Sequence, residues 1–395
     1  IGFVRWTERR NFAAVLSALG KGQLVVDRLI TNRCEFSRFR DVYDNLSASS
    51  QIATLFHYEG KSKPNPTLVL SDDRSLVAGQ LNVGIVGAGN FCKGVVVPLL
   101  NSLNYQVKTV ASRSGISATE MARKLKADIA TTDHTEMIDD PSINLVLILT
   151  RHSLHSEMVV QALRAGKHVF VEKPLCLSLN ELADIQKAKA DTDGQLLMVG
   201  QNRRFSPLAA RLRQEIGESK TSLVLTINAG LLPDSSWVHN LDESGGRFLG
   251  EVCHFIDLCC YLTSSSVKRV CANALDHNSL SEDVSLIMSF TNGSQATINY
   301  LSKGNHNYPK EHIEAFYDGR ISKIDNWKVM RSWGGKSFRL LRQDKGHRAQ
   351  FQLLKKAIEQ GESPPVSFSE YSNIVKATLG SVQSLRENKW IDLRA

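Results

Sequence analysis

From Leu81 onward the chain alternates short, β-branched apolar runs with segments of helical apolar spacing, and this alternation restricts the fold more than any other feature. "LNVGIVG" suits a fully buried parallel strand and "FCKGVVVPLLNSL" after it a helix. "YQVKTVASRS", "INLVLILT" and "HVFVEKP" repeat the strand pattern, with "SATEMARKLKA" and "SLHSEMVVQALRAG" as the helices between them. The pattern predicts an α/β fold, a parallel sheet with helices on both faces. Ligands of such sheets bind beyond the carboxyl ends of the strands, so residues that carry chemistry are sought where these runs end.

The first run ends in "GAGNFC". Gly87 permits a tight turn and Gly89 lets backbone approach a pyrophosphate. Asn90 and Phe91 open the next helix, whose N–H groups face the negative charge. Cys92 stands where the dinucleotide fingerprint has its third small residue. The end of the second run separates the cofactors, because an acid there would bind the adenosine ribose hydroxyls and repel a 2′-phosphate. This chain has Ser112 and Arg113 instead, which favours NADP over NAD, since arginine makes bidentate bonds to phosphate. The alternative leaves Arg113 a solvated charge, or stacked on the adenine of NAD.

A chain of 395 residues suits about two to three folding units. Its formal charge of +8 fits an anionic ligand such as a nucleotide. Lysines and arginines are scattered among acids, with no basic stripe interleaved with aromatics, which argues against nucleic acid as a partner. The 7 cysteines form no CxxC pair, so neither a disulfide framework nor a metal site is expected, and a reducing, cytoplasmic compartment is. No apolar run approaches the roughly 20 residues of a membrane span.

Four segments follow from the pattern. Residues 1–60 carry a helix in "NFAAVLSALGKGQL", a short strand or extended run in "LVVDRLIT" and a second helix in "FSRFRDVYDNLSAS". Residues 61–80 are polar and proline-bearing and read as a linker. Residues 81–199 form the nucleotide domain, and residues 200–395 a second α/β domain. In the latter "TSLVLTINAG", "VKRVCANAL", "DVSLIMSF" and "QATINYLS" read as strands, with "TNGS" as a hairpin turn and two helices closing the chain.

"GAGN", "TRHSLH", "AGKHVFVEKP", "GQNRRFSP" and "GGRFLGEVCHFIDL", in that order, resemble the Gfo/Idh/MocA oxidoreductases over residues 81 to about 388. The resemblance implies a Rossmann domain followed by a domain with a large, open, mostly antiparallel sheet that holds the substrate site and through which members often associate as homo-oligomers. It implies that Lys173 binds substrate beside the nicotinamide and that Glu172 positions nearby groups. Chemistry agrees: hydride transfer at a carbon bearing oxygen needs that oxygen's proton and developing charge handled, and Lys173 sits at a strand's carboxyl end. Pro174 is a place for a cis peptide that would set Lys173 in a turn.

His254 is the second candidate, as an imidazole able to exchange a proton near neutral pH. Glu251, His254 and Asp257 stand three apart and on a helix would share a face. The family's usual acid lies four residues before its histidine, where this chain has Gly250. Either Glu251 takes over part of that role, or His254 works with Lys173 alone. Thr150, His152 and His155 fall where family members line the nicotinamide, with a solvent-facing first turn the alternative for His155. Asn202 and Arg204 read as cofactor or substrate contacts, Asp257 as a substrate contact, and Trp237 and His239 as a sugar-stacking wall.

"GFVRWTERRNFAAVLSALGKGQLVVDRLITNRCEFSRFRDVYDNL" resembles the carboxyl-terminal end of a zinc-type medium-chain alcohol dehydrogenase of the kind fused to a Gfo/Idh/MocA unit. That unit's nucleotide fold and metal ligands are not among these residues, so the segment is expected to be a remnant without a catalytic role. The function expected is an NAD(P)-dependent oxidoreductase acting on a sugar, sugar nucleotide or cyclitol. A redox-assisted lyase or glycosidase with tightly held NAD, and a nucleotide sensor that has lost its chemistry, remain the alternatives.

Overall fold

The computed structural model describes residues 7–45, 50–58, 65–71, 81–192, 194–233, 235–275 and 282–393. It divides into two compact units, residues 1–65 and 66–395. In the first, helix α1 (Glu8–Gly20) begins at Thr7, whose hydroxyl accepts the Arg10 N–H. Strand β1 (Ile30–Glu35) starts later than the sequence pattern suggests, because Asp27–Leu29 take a 3-10 turn. Helix α2 (Phe39–Asp44) leads to strand β2 (Ala53–His57), which pairs parallel with β1. No residue of α1 is buried within its unit.

The larger unit begins inside the stretch read as a linker. Residues 67–69 there form strand β3 (Thr67–Val69), an antiparallel edge to the first sheet. Residues 61–64 and 72–80 of that stretch lie outside the described residues. The sheet continues with β4 (Asn82–Val86), β5 (Gln106–Ala111), β6 (Ile129–Thr131), β7 (Leu145–Ile148), β8 (His168–Val171) and β9 (Leu197–Val199). Helices α3 (Val97–Ser102), α4 (Gly115–Leu125), α5 (His134–Asp139), α6 (His155–Arg164) and α7 (Leu179–Ala190) alternate with these strands.

The order is β3-β6-β5-β4-β7-β8-β9, parallel throughout except for β3. Every residue of β4 and β7 is buried, as β-branched runs covered on both faces require. The chain reverses its direction of travel across the sheet between β4 and β7, which opens a crevice above their carboxyl ends. β6 and α5 escaped the sequence pattern because both are too short for periodicity to register.

The second sheet follows α8 (Pro207–Ile216), β10 (Ser222–Asn228), α9 (Leu241–Ser244) and α10 (Arg247–Thr263). Its other strands are β11 (Val267–Ala274), β12 (Val284–Phe290), β13 (Gln295–Leu301), β14 (Glu311–Tyr317), β15 (Arg320–Asp325), β16 (Val329–Trp333) and β17 (Phe338–Arg339). Helices α11 (His347–Gln360) and α12 (Phe368–Glu387) precede the last strand, β18 (Ile391–Asp392). The order β17-β16-β15-β14-β10-β13-β12-β11-β18 is antiparallel except between β10 and β13. At the expected hairpin Gly293 has φ +87°, and Asn292 Oδ1 accepts the Ser294 N–H.

Helices α10 and α12 cover one face of this sheet through residues such as Phe255, Ile256 and Ile374, packed with Leu286 and Met288. The other face leaves Ile287, Phe316 and Ile321 exposed. Helix α11, expected to belong with this domain, instead packs on the parallel sheet. Phe351 and Leu354 join the cluster of Val83 and Phe170, and Tyr105 donates to the Phe351 carbonyl at 2.6 Å. Gly346, with φ +89°, allows the return, since a Cβ there would lie 2.4 Å from Asn202 O.

A 3-10 turn at Arg203–Phe205 carries adjacent guanidinium groups that reach different elements. Arg203 grips Glu311 on β14 at 2.9 and 3.0 Å. Arg204 grips Asp257 on α10 at 2.6 and 2.9 Å, and reaches Glu370 at 3.2 Å. Arg204→Ala strands the Asp257 carboxylate in the core and is expected to cost about 3–5 kcal/mol in denaturant unfolding. Arg204→Met combined with Asp257→Leu should recover most of that loss.

Candidate active site

At the nucleotide end, Gly87 has φ +104°, and a Cβ on it would lie 2.5 Å from Leu149 O, so only glycine fits. Gly89 is the reverse case: a Cβ there meets nothing within 4 Å. The turn therefore leaves open space at the start of the helical run of residues 90–102, which includes a π turn at Cys92–Val96. Open space beside a helix N-terminus fits a pyrophosphate. Asn90 is exposed and Phe91 half-buried at that start. Cys92 is buried, which raises its thiol to about 12 and leaves it a packing residue. Ser112 is half-buried just beyond β5, and Arg113 is exposed with no ion pair or side-chain hydrogen bond among the described residues.

At the reacting end, β8 delivers Glu172 and Lys173 to the same crevice, and the Lys173–Pro174 peptide is cis. Lys173 Nζ donates to Gly250 O on α10 at 3.0 Å. Glu172 fills the space above Gly200, where a Cβ would lie 2.5 Å from Oε1. Burial raises the Glu172 carboxyl to about 7, against the lowering effect of the Lys173 charge. His254, on the same helix as Gly250, is 6% exposed, and its Nδ1 has no hydrogen-bond partner among the described residues. Burial, then the charges of Arg203, Lys173, His347 and Lys310, hold its imidazole neutral.

Glu251, His254 and Asp257 do not act together. Three-residue steps drift by roughly 60° each around a helix, so the outer two point about 120° apart. Glu251 accepts from Tyr300 Oη and Lys310 Nζ, both at 3.2 Å. Burial opposes its ionisation, but Lys310 and Lys173 outweigh burial and bring the carboxyl to about 2. Asp257 is 0% exposed and bound to Arg204, so neither residue is available to a substrate and both readings are corrected to an internal ion pair. Asn202, 2% exposed, is likewise structural: it donates to Lys345 O and accepts from Arg203.

The loop after β7 also departs from expectation in part. His155 is 0% exposed rather than solvent-facing, with Nδ1 2.7 Å from Pro174 O and Nε2 3.3 Å from Thr150 O. Burial lowers it to about 4, so the ring is neutral with a single N–H, and on the shorter contact Nδ1–H donates to Pro174 O and ties this loop to the turn carrying Lys173. Thr150 is half-buried, its hydroxyl donating to Arg151 O. Trp237 is half-buried, with Arg151 over its ring at 4.1 Å and the ring of His152 in a T-shaped contact at 4.9 Å. His239 pairs with Glu282 at 3.2 Å.

Sequence reasoning passed over Arg203, Lys310, Lys345 and His347. Lys345 binds Glu311 at 3.1 Å, and His347 lies 6.0 Å from Phe91 of the fingerprint helix. Their partners are too distant along the chain for any local pattern to reveal them. Among the described residues no group of three or more His, Cys, Asp or Glu is placed to hold a metal ion.

The raised Glu172 carboxyl gives a pH signature. Between about 4.5 and 7 the folded state keeps a proton that the unfolded chain releases, so this group's contribution to stability falls as pH rises through that window. The melting temperature of Glu172→Gln should lack that decline when measured beside the unsubstituted protein from pH ~4.5 to ~7.

The comparisons agree with this geometry. Residues 81–201 match the family described as "Oxidoreductase family, NAD-binding Rossmann fold". The oxidoreductase YrbE of Bacillus subtilis (strain 168) is 28% identical over 256 residues, 62% of this chain and 74% of that protein. The scyllo-inositol 2-dehydrogenase (NAD(+)) of the same organism is 34% identical over 158 residues, 39% of this chain and 45% of its own length. The solved oxidoreductase domain protein from Kribbella flavida shares the fold, with a TM-score of 0.72 at 18% identity over 80% of this chain and 100% of that one. The fingerprint turn lies inside the matched residues and the nine-stranded sheet follows them, so residues 81–201 are the NAD-binding Rossmann domain of that oxidoreductase family, and the chain is similar to its dehydrogenases beyond that domain.

Proposed function

We propose that this dehydrogenase interconverts a hydroxyl and a keto carbon on a cyclitol or sugar, with Lys173 and His254 at the reacting carbon. The observation that carries the reading is the meeting of β8 and α10, where Lys173 Nζ reaches Gly250 O and the neutral ring of His254 lies one helical turn further on. The similar scyllo-inositol 2-dehydrogenase supports the substrate class. The open turn at Gly89, with Asn90 and Phe91, would hold the dinucleotide pyrophosphate, and Ser112 and Arg113 its adenosine end. The bound nicotinamide supplies the hydride acceptor or donor.

Lys173 orients the reacting oxygen and stabilises negative charge developing on it. His254 starts neutral and can therefore take the hydroxyl proton in the oxidative direction. Glu251 stays an anion bound to Lys310 and sets the field without moving a proton. The unpaired guanidinium of Arg113 favours NADP(H) over NAD(H). In this reading residues 1–60 are a segment like the carboxyl-terminal end of a zinc-type alcohol dehydrogenase, and the reacting groups all come from the larger unit. The exposed Ile287, Phe316 and Ile321 favour self-association through the open sheet.

Fluorescence titration should show NADPH binding more tightly than NADH, with the preference lost in Arg113→Ala. Turnover of myo- and scyllo-inositol should fall on the order of 10²–10⁴-fold in Lys173→Met, with NADPH affinity retained. Normal turnover in that variant would remove Lys173 from the chemistry. A nucleotide that copurifies without exchanging, with no net turnover, would point to redox-assisted elimination instead.

A further inference from the structure

We propose that His152 is a second substrate-binding histidine, whose Nε2 accepts a hydrogen bond from a substrate hydroxyl beside Lys173; this rests on the reading of a polyhydroxylated substrate. The argument begins at Gly250. A Cβ there would lie 2.7 Å from His152 Cε1 and 3.3 Å from Nδ1, so the ring occupies the space that any side chain at residue 250 would need. The same Gly250 gives its carbonyl to Lys173 Nζ at 3.0 Å. One residue of α10 thus brings a cation from the end of β8 and an imidazole from the end of β7 together.

The ring cannot swing away. Nδ1 lies 2.8 Å from Ser244 O, and one edge packs on Trp237 at 4.9 Å. Trp237 is held in turn by Arg151, which reaches Glu243 at 3.5 Å. A carbonyl can only accept, so Nδ1 carries the proton and the lone pair of the neutral ring is on Nε2. Burial, more than the neighbouring Lys173 charge, keeps the ring neutral by lowering it to about 3. Nε2 has no hydrogen-bond partner among the described residues. An ammonium that donates and an imidazole nitrogen that accepts, both against Gly250, make complementary contacts for a hydroxyl group, which itself both donates and accepts.

The test combines His152→Ala and Gly250→Ala, singly and together, with myo-inositol and NADP+ as probes and NADPH fluorescence as the independent measure of the cofactor site. Loss of the contact should raise KM about tenfold in His152→Ala. NADPH affinity should be unchanged. Gly250→Ala should lower kcat/KM on its own and add little once the ring it strikes is gone. An unchanged KM in His152→Ala, or fully additive losses, would overturn the proposal, as would equal damage to NADPH binding. Absence of turnover in the unsubstituted protein with both inositols and both cofactors would defeat the substrate reading instead. The inference is then decided by ¹⁵N NMR of histidine-labelled protein at about pH 5.5, where an ordinary histidine is mostly protonated. The resonances lost in His152→Asn should belong to a neutral ring protonated on Nδ1. An imidazolium or the opposite tautomer would overturn it.

Discussion

The packing around the turn that leaves the parallel sheet rests on two buried ion pairs that reach different elements of the second domain. Arg203 and Arg204 are neighbours just after β9, yet one ends on Glu311 of the second sheet and the other on Asp257 of α10. Both carboxylates are 0% exposed, so each charge is compensated only while the turn, the helix and the strand keep their positions. Trp327 Nε1 and Lys345 complete the shell of Glu311. Helix α11 then returns to the parallel sheet just after Lys345 and brings His347 toward the fingerprint helix. Beside this framework Lys173 on β8 reaches Gly250 O on α10, one helical turn before His254.

The crevice so formed is rich in cations and holds neutral imidazoles. His254, His152 and His347 are all pushed below the ordinary histidine value, chiefly by burial and further by nearby positive charge. Glu251, the nearest carboxylate in sequence to the missing acid, is bound to Lys310 and held at about 2, so it cannot serve as a proton donor near neutrality. Gly250 leaves room for a ring rather than an acid, and the ring present is that of His152. Proton handling in the proposed reaction therefore falls to groups that begin neutral.

Much of the fold was legible in the sequence, because buried parallel strands such as "NVGIV" and "LVLI" must be continuously apolar and their turns must carry residues such as Gly87. The ends of those strands were legible for the same reason, and Lys173, Ser112 and Arg113 do lie just beyond them. The errors share a different cause. Arg204, Asp257 and Asn202 look like site residues because polar groups in a motif invite a functional role, whereas their partners lie 53 to 166 positions away in sequence and absorb their polarity internally. β3, β6 and α11 were missed or misassigned because short elements give no periodicity, and an amphipathic helix does not say which sheet it covers.

The sequence by itself determined the layered architecture, the nucleotide turn and the strand exit that carries Lys173, since each follows from local rules of burial, backbone conformation and strand-end placement. Only the tertiary structure decided which polar residues face a substrate and which face one another. That choice depends on distances between segments far apart in the chain, and on the cost of leaving a buried charge or donor without a partner. Gly250 illustrates the division. In the sequence it is an acid that is not there, and in the folded protein it is the space that admits His152 next to the contact made by Lys173.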